Sequence, residues 1–354
     1  MLNLNLPNLE FSLNEYKRYS RQLLLSSIQP EGQNRLSSVR IACIGAGALG
    51  SSIITYLAAA GIKNITVVDN DVVDISNLHR QPIHNTSFIN DLKVASVTNY
   101  IKKLNPHCNL KTIPDKLTRS NSLKIISSHD IILDGSDNIA TRYLLDEFCS
   151  YLGKPWIYGA VFQFKGQISV FNYRGSACYR DIYPANSFSD KGLSCSEGGI
   201  LGVVPGLIGM LQATEAIKIT LGIGDILSNY ILTVDMLTLE FKKLKIRQST
   251  DRLDQRFLVE SIHLTDQSAP IEIDTISIND LENLSSIQLI DVRSTIEYSI
   301  EHIPGAINYP LSQLGHNTDF KQMLYNSKTL ILYCSLNSRA ELAYQVLSRN
   351  NIPC

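Results

Sequence analysis

The sequence predicts an α/β protein built on a doubly wound sheet, with a second, smaller α/β domain after it. Three observations predict this. A short apolar run at 39–44 passes straight into Gly45-Ala-Gly-Ala-Leu-Gly50. A β-branched stretch at 64–69 (NITVVD) ends on an acid. After a polar stretch at 247–275, strand-like and helix-like segments begin to alternate again from residue 276. A chain of 354 residues is long enough for two cores, so two domains are expected.

The elements follow in order. Residues 14–36 form an amphipathic, helical entry segment, and residues 51–60 have the small, apolar composition of a helix packed on a sheet. Buried parallel strands read as continuous apolar runs, which fits 64–69, Ile131–Asp134 as the third strand, and 156–160, with a helix over 141–152 between the last two. Strand and helix in alternation give a Rossmann-like sheet that binds ligands at the carboxyl ends of its strands. From Gly166 the pattern changes to QISVFNY, which alternates and predicts an antiparallel extension. Residues 174–199 are rich in Gly, Ser, Asn and Asp and are expected to form a mobile loop; 207–221 has a helical period. The expected division is 1–246, a linker at 247–275, and 276–354.

Composition excludes several function classes. With 32 Lys and Arg against 33 Asp and Glu, the formal net charge of −1 offers no basic excess for nucleic acid or an anionic membrane. No apolar run approaches the roughly 18 residues of a membrane span, and the N-terminus has neither signal-peptide nor transit-peptide character. The seven cysteines, at 43, 108, 149, 178, 195, 334 and 354, show no framework spacing and imply a reducing compartment. The expectation is a soluble, intracellular protein. Abundant Ile, Asn, Ser and Lys suit an AT-rich genome, such as that of a plastid or a low-GC bacterium.

The glycine motif lets the backbone approach a phosphate chain and starts a helix whose free N–H groups face the anion. Asp69, nineteen residues after Gly50, is placed to bind ribose. Alone, these features would suit a nicotinamide-dependent oxidoreductase. The residues that follow suit it less. Asn77 and Arg80 lie just past the ribose acid, Lys93 thirteen residues further on, and Asp137 in Asp134-Gly-Ser-Asp-Asn138 closes the third strand. Two cations and a carboxylate around one glycine loop meet the needs of a triphosphate with Mg²⁺.

RYSRQ at 18–22, GAGALG, DNDVVDISNLHRQ, Lys93, DGSDN, GKPWIYGAV, GQISVF and LQATEAIK together resemble the adenylyltransferases that activate the sulfur carriers of molybdopterin synthase, thiamine and Urm-type pathways, relatives of the ubiquitin-activating enzymes. The resemblance covers about 14–246. It implies adenylation of the C-terminal glycine of a small ubiquitin-like carrier with ATP and Mg²⁺, the small subunit of molybdopterin synthase being the first choice. It further implies a nucleotide held by Gly45, Gly47, Ala48, Gly50, Asp69, the stretch Ser76, Asn77, Leu78, His79 and Arg80, Lys93, Asp137 and Asn138, with Asp137 on Mg²⁺. Arg21 would reach the γ-phosphate from the other subunit of a homodimer. Ala48 stands where a glycine is common. A carrier-binding scaffold without turnover is the alternative from another class.

Many relatives bind zinc through two Cys-x-x-Cys pairs. Here only Cys178 remains of the first and no cysteine lies between 196 and 333, so no zinc site is expected and Cys178 reads as a buried thiol. Cys195 stands where some relatives use a cysteine covalently; catalytic and passive readings are both open. The tail resembles a rhodanese domain through Asp291-Val-Arg293, EHIPGAINYP and Tyr333-Cys-Ser-Leu-Asn-Ser-Arg339, about one strand and one helix short of a typical member. That resemblance implies a persulfide on Cys334, with Arg339 beside it.

Overall fold

The computed structural model describes residues 2, 4, 11–184, 199–248, 287–293, 295–310, 329–334, 340, 343, 344 and 347. The chain divides into two units, Met1–Gln255 and Arg256–Cys354.

The first unit opens with two helices where one segment was expected. Helix α1 (Leu13–Leu23) starts at a capping box in which Ser12 and Glu15 satisfy each other's backbone N–H. The chain then breaks, with Gln29 at φ 50° and Pro30 in the first turn of α2 (Gln29–Ser38). Proline fits there because a first-turn N–H has no helical partner to lose. Side chains on the inner face of α1 fasten it to the domain. Glu15 pairs with Lys63 at 2.7 Å, Asn105 donates to the Tyr19 hydroxyl at 2.9 Å, and Gln22 donates to Gln33 and to the Ala60 carbonyl.

The sheet has eight strands in the order β3-β2-β1-β4-β5-β6-β7-β8. The parallel part comprises β1 (Arg40–Ile44), β2 (Asn64–Val68), β3 (Asn109–Ile113), β4 (Ile131–Asp134) and β5 (Trp156–Phe162). From β5 the pairing turns antiparallel through β6 (Lys165–Phe171), β7 (Tyr230–Asp235) and β8 (Glu240–Lys245). Ile131–Asp134 is therefore the fourth strand in the chain. The strand before it, NLKTI, escaped notice because it is an edge strand whose residues alternate and stay partly exposed. The same holds for β8, exposed along its whole length.

Ile41, Cys43, Ile65, Val67 and Leu133 face one side of the sheet and join the main core. Helix α3 (Ala48–Ala59) lies on that side, and α7 (Val203–Leu221) packs over it. A Cβ at Gly209 would stand 2.6 Å from the Leu49 carbonyl oxygen, so α7 approaches α3 by leaving out a side chain. Because α3 is covered by sheet and helix, it is apolar on nearly every face. Ile53, Ile54 and Leu57 are wholly buried, each contributing about 1.5–3 kcal/mol. Gly222, in the left-handed conformation, ends α7. Helices α4 (Lys93–Leu104), α5 (Arg119–Ser127) and α6 (Ile139–Tyr151) complete the layers. A cavity of about 700 Å³ lies between β2, β3 and α5, lined by Thr66, Lys111, Ile113, Lys124 and His129 among others.

The second unit contains three parallel strands in the order β10-β9-β11, with β9 at Ile287–Asp291, β10 at Ile307–Asn308 and β11 at Thr329–Tyr333. Helix α8 (Thr295–Ile300) follows β9. Ile290, Val292, Tyr309, Leu330, Ala343 and Leu347 form its core. The expected linker, apart from 247 and 248, lies outside the described residues. No helix among the described residues is long and apolar enough to cross a membrane.

Burial alone would raise the Glu15 carboxyl, but Lys63 and the hydrogen bonds from Ser12 outweigh it and bring it down to about 2. Its contribution is therefore present above pH 4.5 and is lost as pH falls toward 2. Glu15→Gln is expected to cost about 1 kcal/mol at pH 7 and to flatten the acid limb of stability between those values, read by urea unfolding across pH.

Candidate active site

Strand register builds the site. Ile44 at the end of β1 pairs with Val68 on one side and Asp134 on the other. The next residues, Gly45, Asp69 and Gly135, therefore leave the sheet side by side, about 4.8 Å apart from strand to strand. This is the point where strand order reverses, the usual ligand crevice of such sheets.

Gly45 adopts φ +103° and donates its N–H to the Val68 carbonyl at 2.8 Å. A Cβ on it would stand 2.5 Å from the Gly135 oxygen, and one on Gly50 would collide with the Gly45 oxygen. Only glycine satisfies both demands at these two positions. Ala46 is held from both ends. Its N–H reaches Asp69 Oδ2 at 2.7 Å, and its carbonyl accepts from His84 Nε2 at 2.9 Å. His84 is buried, and its Nδ1 stands 3.0 Å from the Ser96 hydroxyl. Burial lowers its pKa, so the ring is neutral at pH 7 and its Nε2–H is the donor. Gly47 is the N-cap of α3 and no side chain caps that helix. First-turn N–H groups, Ala48 included, are thus offered to an anion.

Asp69 is half-buried and also accepts the Asp71 N–H, at 2.8 Å. Beyond it, Asp74 caps the short 3₁₀ turn Ile75–Asn77 through the Ser76 N–H. Asn77 Oδ1 accepts from Arg80 Nη2 at 3.3 Å and from Gln81 Nε2 at 2.9 Å, and Arg80 Nη1 donates to the Ser76 carbonyl at 2.8 Å. Leu78 is half-buried and His79 exposed. The turn is fixed from above: a side chain at Gly202, the N-cap of α7, would collide with the His79 carbonyl. Lys93 opens α4 with its side chain only 7% exposed, and its ammonium rests 2.8 Å from Asp71 Oδ2, on a carboxylate 60% exposed. A buried cation is thus paired with an acid that water can reach.

On the other side of Gly45, Asp134 is fully buried. Its carboxylate accepts the Ser136 N–H at 2.9 Å, the Ser136 hydroxyl at 2.6 Å and Arg142 Nε at 3.1 Å. Burial pushes the Asp134 carboxyl up and the adjacent Arg142 guanidinium opposes that. Asp137 is exposed and has no hydrogen bond or ion pair among the described residues, and Asn138 caps α6 through the Thr141 N–H at 2.8 Å.

Arg21 stands apart. It is exposed in the last turn of α1 and pairs with nothing among the described residues. Its neighbour Gln22 is tied to Ala60, the C-cap of α3. The glycine loop is at the other end of that 12-residue helix, about 18 Å away. Within one chain Arg21 does not join the site.

Cys178 is buried at the start of a 3₁₀ turn, and burial pushes its thiol up to about 12. Cys43 lies beneath the glycine loop, 3.4 Å from the Gly45 carbonyl, and burial pushes its thiol up as well. Cys195 lies outside the described residues. In the second unit, Asp291 and Tyr333 end neighbouring strands in register, and Cys334 follows at that carboxyl edge. Its Sγ accepts the Ala340 N–H at 3.3 Å. Arg293 grips the buried Asp291 carboxylate through Nε and Nη2, and Asn308 donates to the Asp291 and Arg293 carbonyls. Arg339 is outside the described residues.

His84, Asp71 and Arg142 were not singled out from the sequence. His84 bonds a residue 38 positions away, a relation no local pattern carries. Asp71, two residues after Asp69, was the more legible of the three.

Fold and site together define a doubly wound α/β protein with an uncapped helix N-terminus at its switch point. Residues 19–254 match the ThiF family, and the chain belongs to that family. Residues 277–353 match the rhodanese-like domain. A probable molybdopterin-synthase adenylyltransferase of Porphyra purpurea is 41% identical, over 99% of this chain and 92% of its own length. The adenylyltransferase and sulfurtransferase MOCS3 of Aedes aegypti is 34% identical, over 95% and 82% respectively. Among solved structures, E. coli MccB with MccA-N7isoASN shares the fold at TM-score 0.61 and 17% identity, covering 70% of this chain and 76% of that one. MccB with ATP does so at 0.58 and 18%, covering 66% and 73%.

His84→Ala leaves the buried Ala46 carbonyl without its partner. Such a loss costs about 1–3 kcal/mol, so stability is expected to fall by that amount, read by urea unfolding. His84→Gln, which can still donate, is expected to recover part of the loss.

Proposed function

We propose that the chain adenylates the C-terminal glycine of a small ubiquitin-like sulfur carrier, releasing pyrophosphate, with the small subunit of molybdopterin synthase as the carrier. Near-full-length relatives that carry adenylyltransferase names support this reading. The structural observation that carries it is the glycine cradle, Asp69 and the Asp137 loop leaving adjacent strands at one edge. A thiamine or Urm-type carrier is the alternative within the same chemistry.

The phosphates would lie on the N–H groups of the Gly47–Gly50 turn, with ribose on Asp69. Asn77 and Arg80 would face the phosphates from the turn that Asp74 and Gly202 hold. Lys93 would exchange its Asp71 partner for a phosphate oxygen, so that a buried cation is paired before and after binding. Its charge, with that of Arg80, would offset negative charge developing on the α-phosphate and on the departing pyrophosphate. The carrier's terminal carboxylate would attack the α-phosphorus in line. The enzyme supplies positioning and charge, with no protein nucleophile in this step.

Mg²⁺ suits the donor set. Asp137 is an exposed carboxylate with no partner among the described residues, beside the cradle, and Mg²⁺ commonly takes one or two carboxylates with phosphate oxygens and water. Asp137 would hold it, and the ion would neutralise phosphate charge. Arg21, at the far end of α3 from the cradle, would act in the partner's site of a homodimer. We assign adenylation to residues 1–246 and sulfur handling to 276–354, joined by 247–275. Amino-acid usage suits a plastid, or the cytoplasm of a low-GC bacterium, as the compartment.

A second activity has its own observation. The Ala340 N–H pointed at Cys334 Sγ suits a thiolate or persulfide. A Cys334 thiolate attacking the outer sulfur of thiosulfate would form the persulfide and release sulfite, and cyanide would then remove the sulfur as thiocyanate. Thiosulfate:cyanide activity is expected in the whole protein and is expected to vanish in Cys334→Ser.

The deciding experiment is carrier-dependent ATP–pyrophosphate exchange with each of the three carriers. Exchange with one of them, lost when its last glycine is removed, is the expected result; ATP binding without exchange would instead favour a scaffold. Arg80→Ala, Lys93→Ala and Asp137→Ala are each expected to lower the rate by about 10²–10³ with unchanged circular dichroism. Near-normal rates in all three would overturn the site assignment.

A further inference from the structure

Asp137 itself has no hydrogen bond or ion pair among the described residues, yet the residues on either side of it are well fastened. Ser136 is held at three points. Its N–H and hydroxyl both donate to Asp134 Oδ1, and its carbonyl accepts from Arg142 Nη2 at 3.3 Å. On the other side, Asn138 is fixed as the N-cap of α6. Asp137 is therefore suspended between two anchored residues.

Arg142 ties this arrangement to the sheet. It lies one turn into α6 and is buried. Nε pairs with Asp134 Oδ2 at 3.1 Å, Nη2 also reaches the Gly159 carbonyl of β5 at 3.2 Å, and the guanidinium lies over the Tyr158 ring, 5.2 Å from its centroid. One planar fork thus joins the end of β4, the loop after it and β5. From the α7 side, Gln212 donates to the Asp134 carbonyl at 2.8 Å and to the Ile157 carbonyl at 3.0 Å, closing the frame. A lysine in place of Arg142 would keep the charge but could not present Nε and Nη2 in fixed directions.

We propose that Arg142 is a positioning residue which, through Asp134 and Ser136, sets where the Asp137 carboxylate stands and with it the divalent-cation affinity of the site. The proposal rests on the reading of Asp137 as the metal-holding carboxylate. Arg142 touches neither nucleotide nor carrier in this scheme; it acts on the cation by fixing a ligand. Residues that orient a metal ligand typically change metal affinity by about 10- to 100-fold when replaced. A residue that served only to stabilise the fold would lower the melting temperature and leave that affinity alone.

The test is direct Mn²⁺ titration of the whole protein, followed by electron paramagnetic resonance, in the presence of α,β-methylene ATP. Arg142→Lys is expected to weaken Mn²⁺ binding about 10-fold while nucleotide affinity at saturating Mn²⁺ changes less than twofold. Ser136→Ala, which removes one of the three ties and leaves the buried ion pair intact, is expected to weaken Mn²⁺ binding in the same direction by a smaller factor. Wild-type Mn²⁺ affinity in folded Arg142→Lys overturns the proposal. If that variant does not fold, wild-type affinity in Ser136→Ala does so. Asp137→Asn separates the two levels: if it binds Mn²⁺ like the wild type, the reading of Asp137 fails and the proposal with it. Loss of Mn²⁺ in Asp137→Asn but not in Arg142→Lys sinks the positioning role alone.

Discussion

Two backbones meet at the centre of the first unit with no room for a side chain between them. Gly45, leaving β1, and Gly135, leaving β4, approach so closely that a Cβ on either would enter the other's carbonyl oxygen. Everything proposed for the site depends on this contact. It lets the loops after two neighbouring strands share one crevice, so that the helix start at Gly47 and the acid at Asp137 can address one ligand. It also places Asp69, on the third adjacent strand end, against the Ala46 N–H. A larger residue at either glycine would push the loop after β1 away from the loop after β4.

In both units, buried acids are matched to arginines. Asp134 pairs with Arg142, Asp146 with Arg180 at 2.9 Å, and Asp291 with Arg293 at 2.6 Å. A buried ion pair adds little net stability, but losing one partner is expensive because it strands the other charge. In all three pairs the acid also accepts a backbone N–H, from Ser136, Tyr179 and Arg293 respectively. The pairs therefore fix loop conformation. Lys93 and Asp71 differ, because one partner is buried and the other exposed. Such a pair can be exchanged for another anion with little change in desolvation.

The sequence displayed the parts of this design that depend on local chemistry. The glycine loop, the acid after a β-branched strand and the apolar α3 are all visible because each needs a residue type at a fixed offset. The fold class and the antiparallel extension followed from the change of period after Gly166. Edge strands β3 and β8 were illegible because their residues stay partly or wholly exposed, so their composition resembles a loop's. The break between α1 and α2 was hidden by a hydrophobic pattern that continues across it, with Pro30 as the only sign. His84 and the pairing of Asp134 with Arg142 depend on burial and on contacts made after folding. A histidine among polar residues and an arginine in a helix look like surface residues until the sheet encloses them.

The described thiols of the first unit share one condition. Cys43, Cys108, Cys149 and Cys178 are all held above the usual cysteine range by burial, Cys43 directly under the glycine loop. A thiol that stays protonated is a poor nucleophile toward peroxide, disulfides and alkylating agents. Burial thus makes these four thiols slow to react. In the second unit Cys334 is half-exposed at a strand end, open to small oxidants and sulfur donors alike.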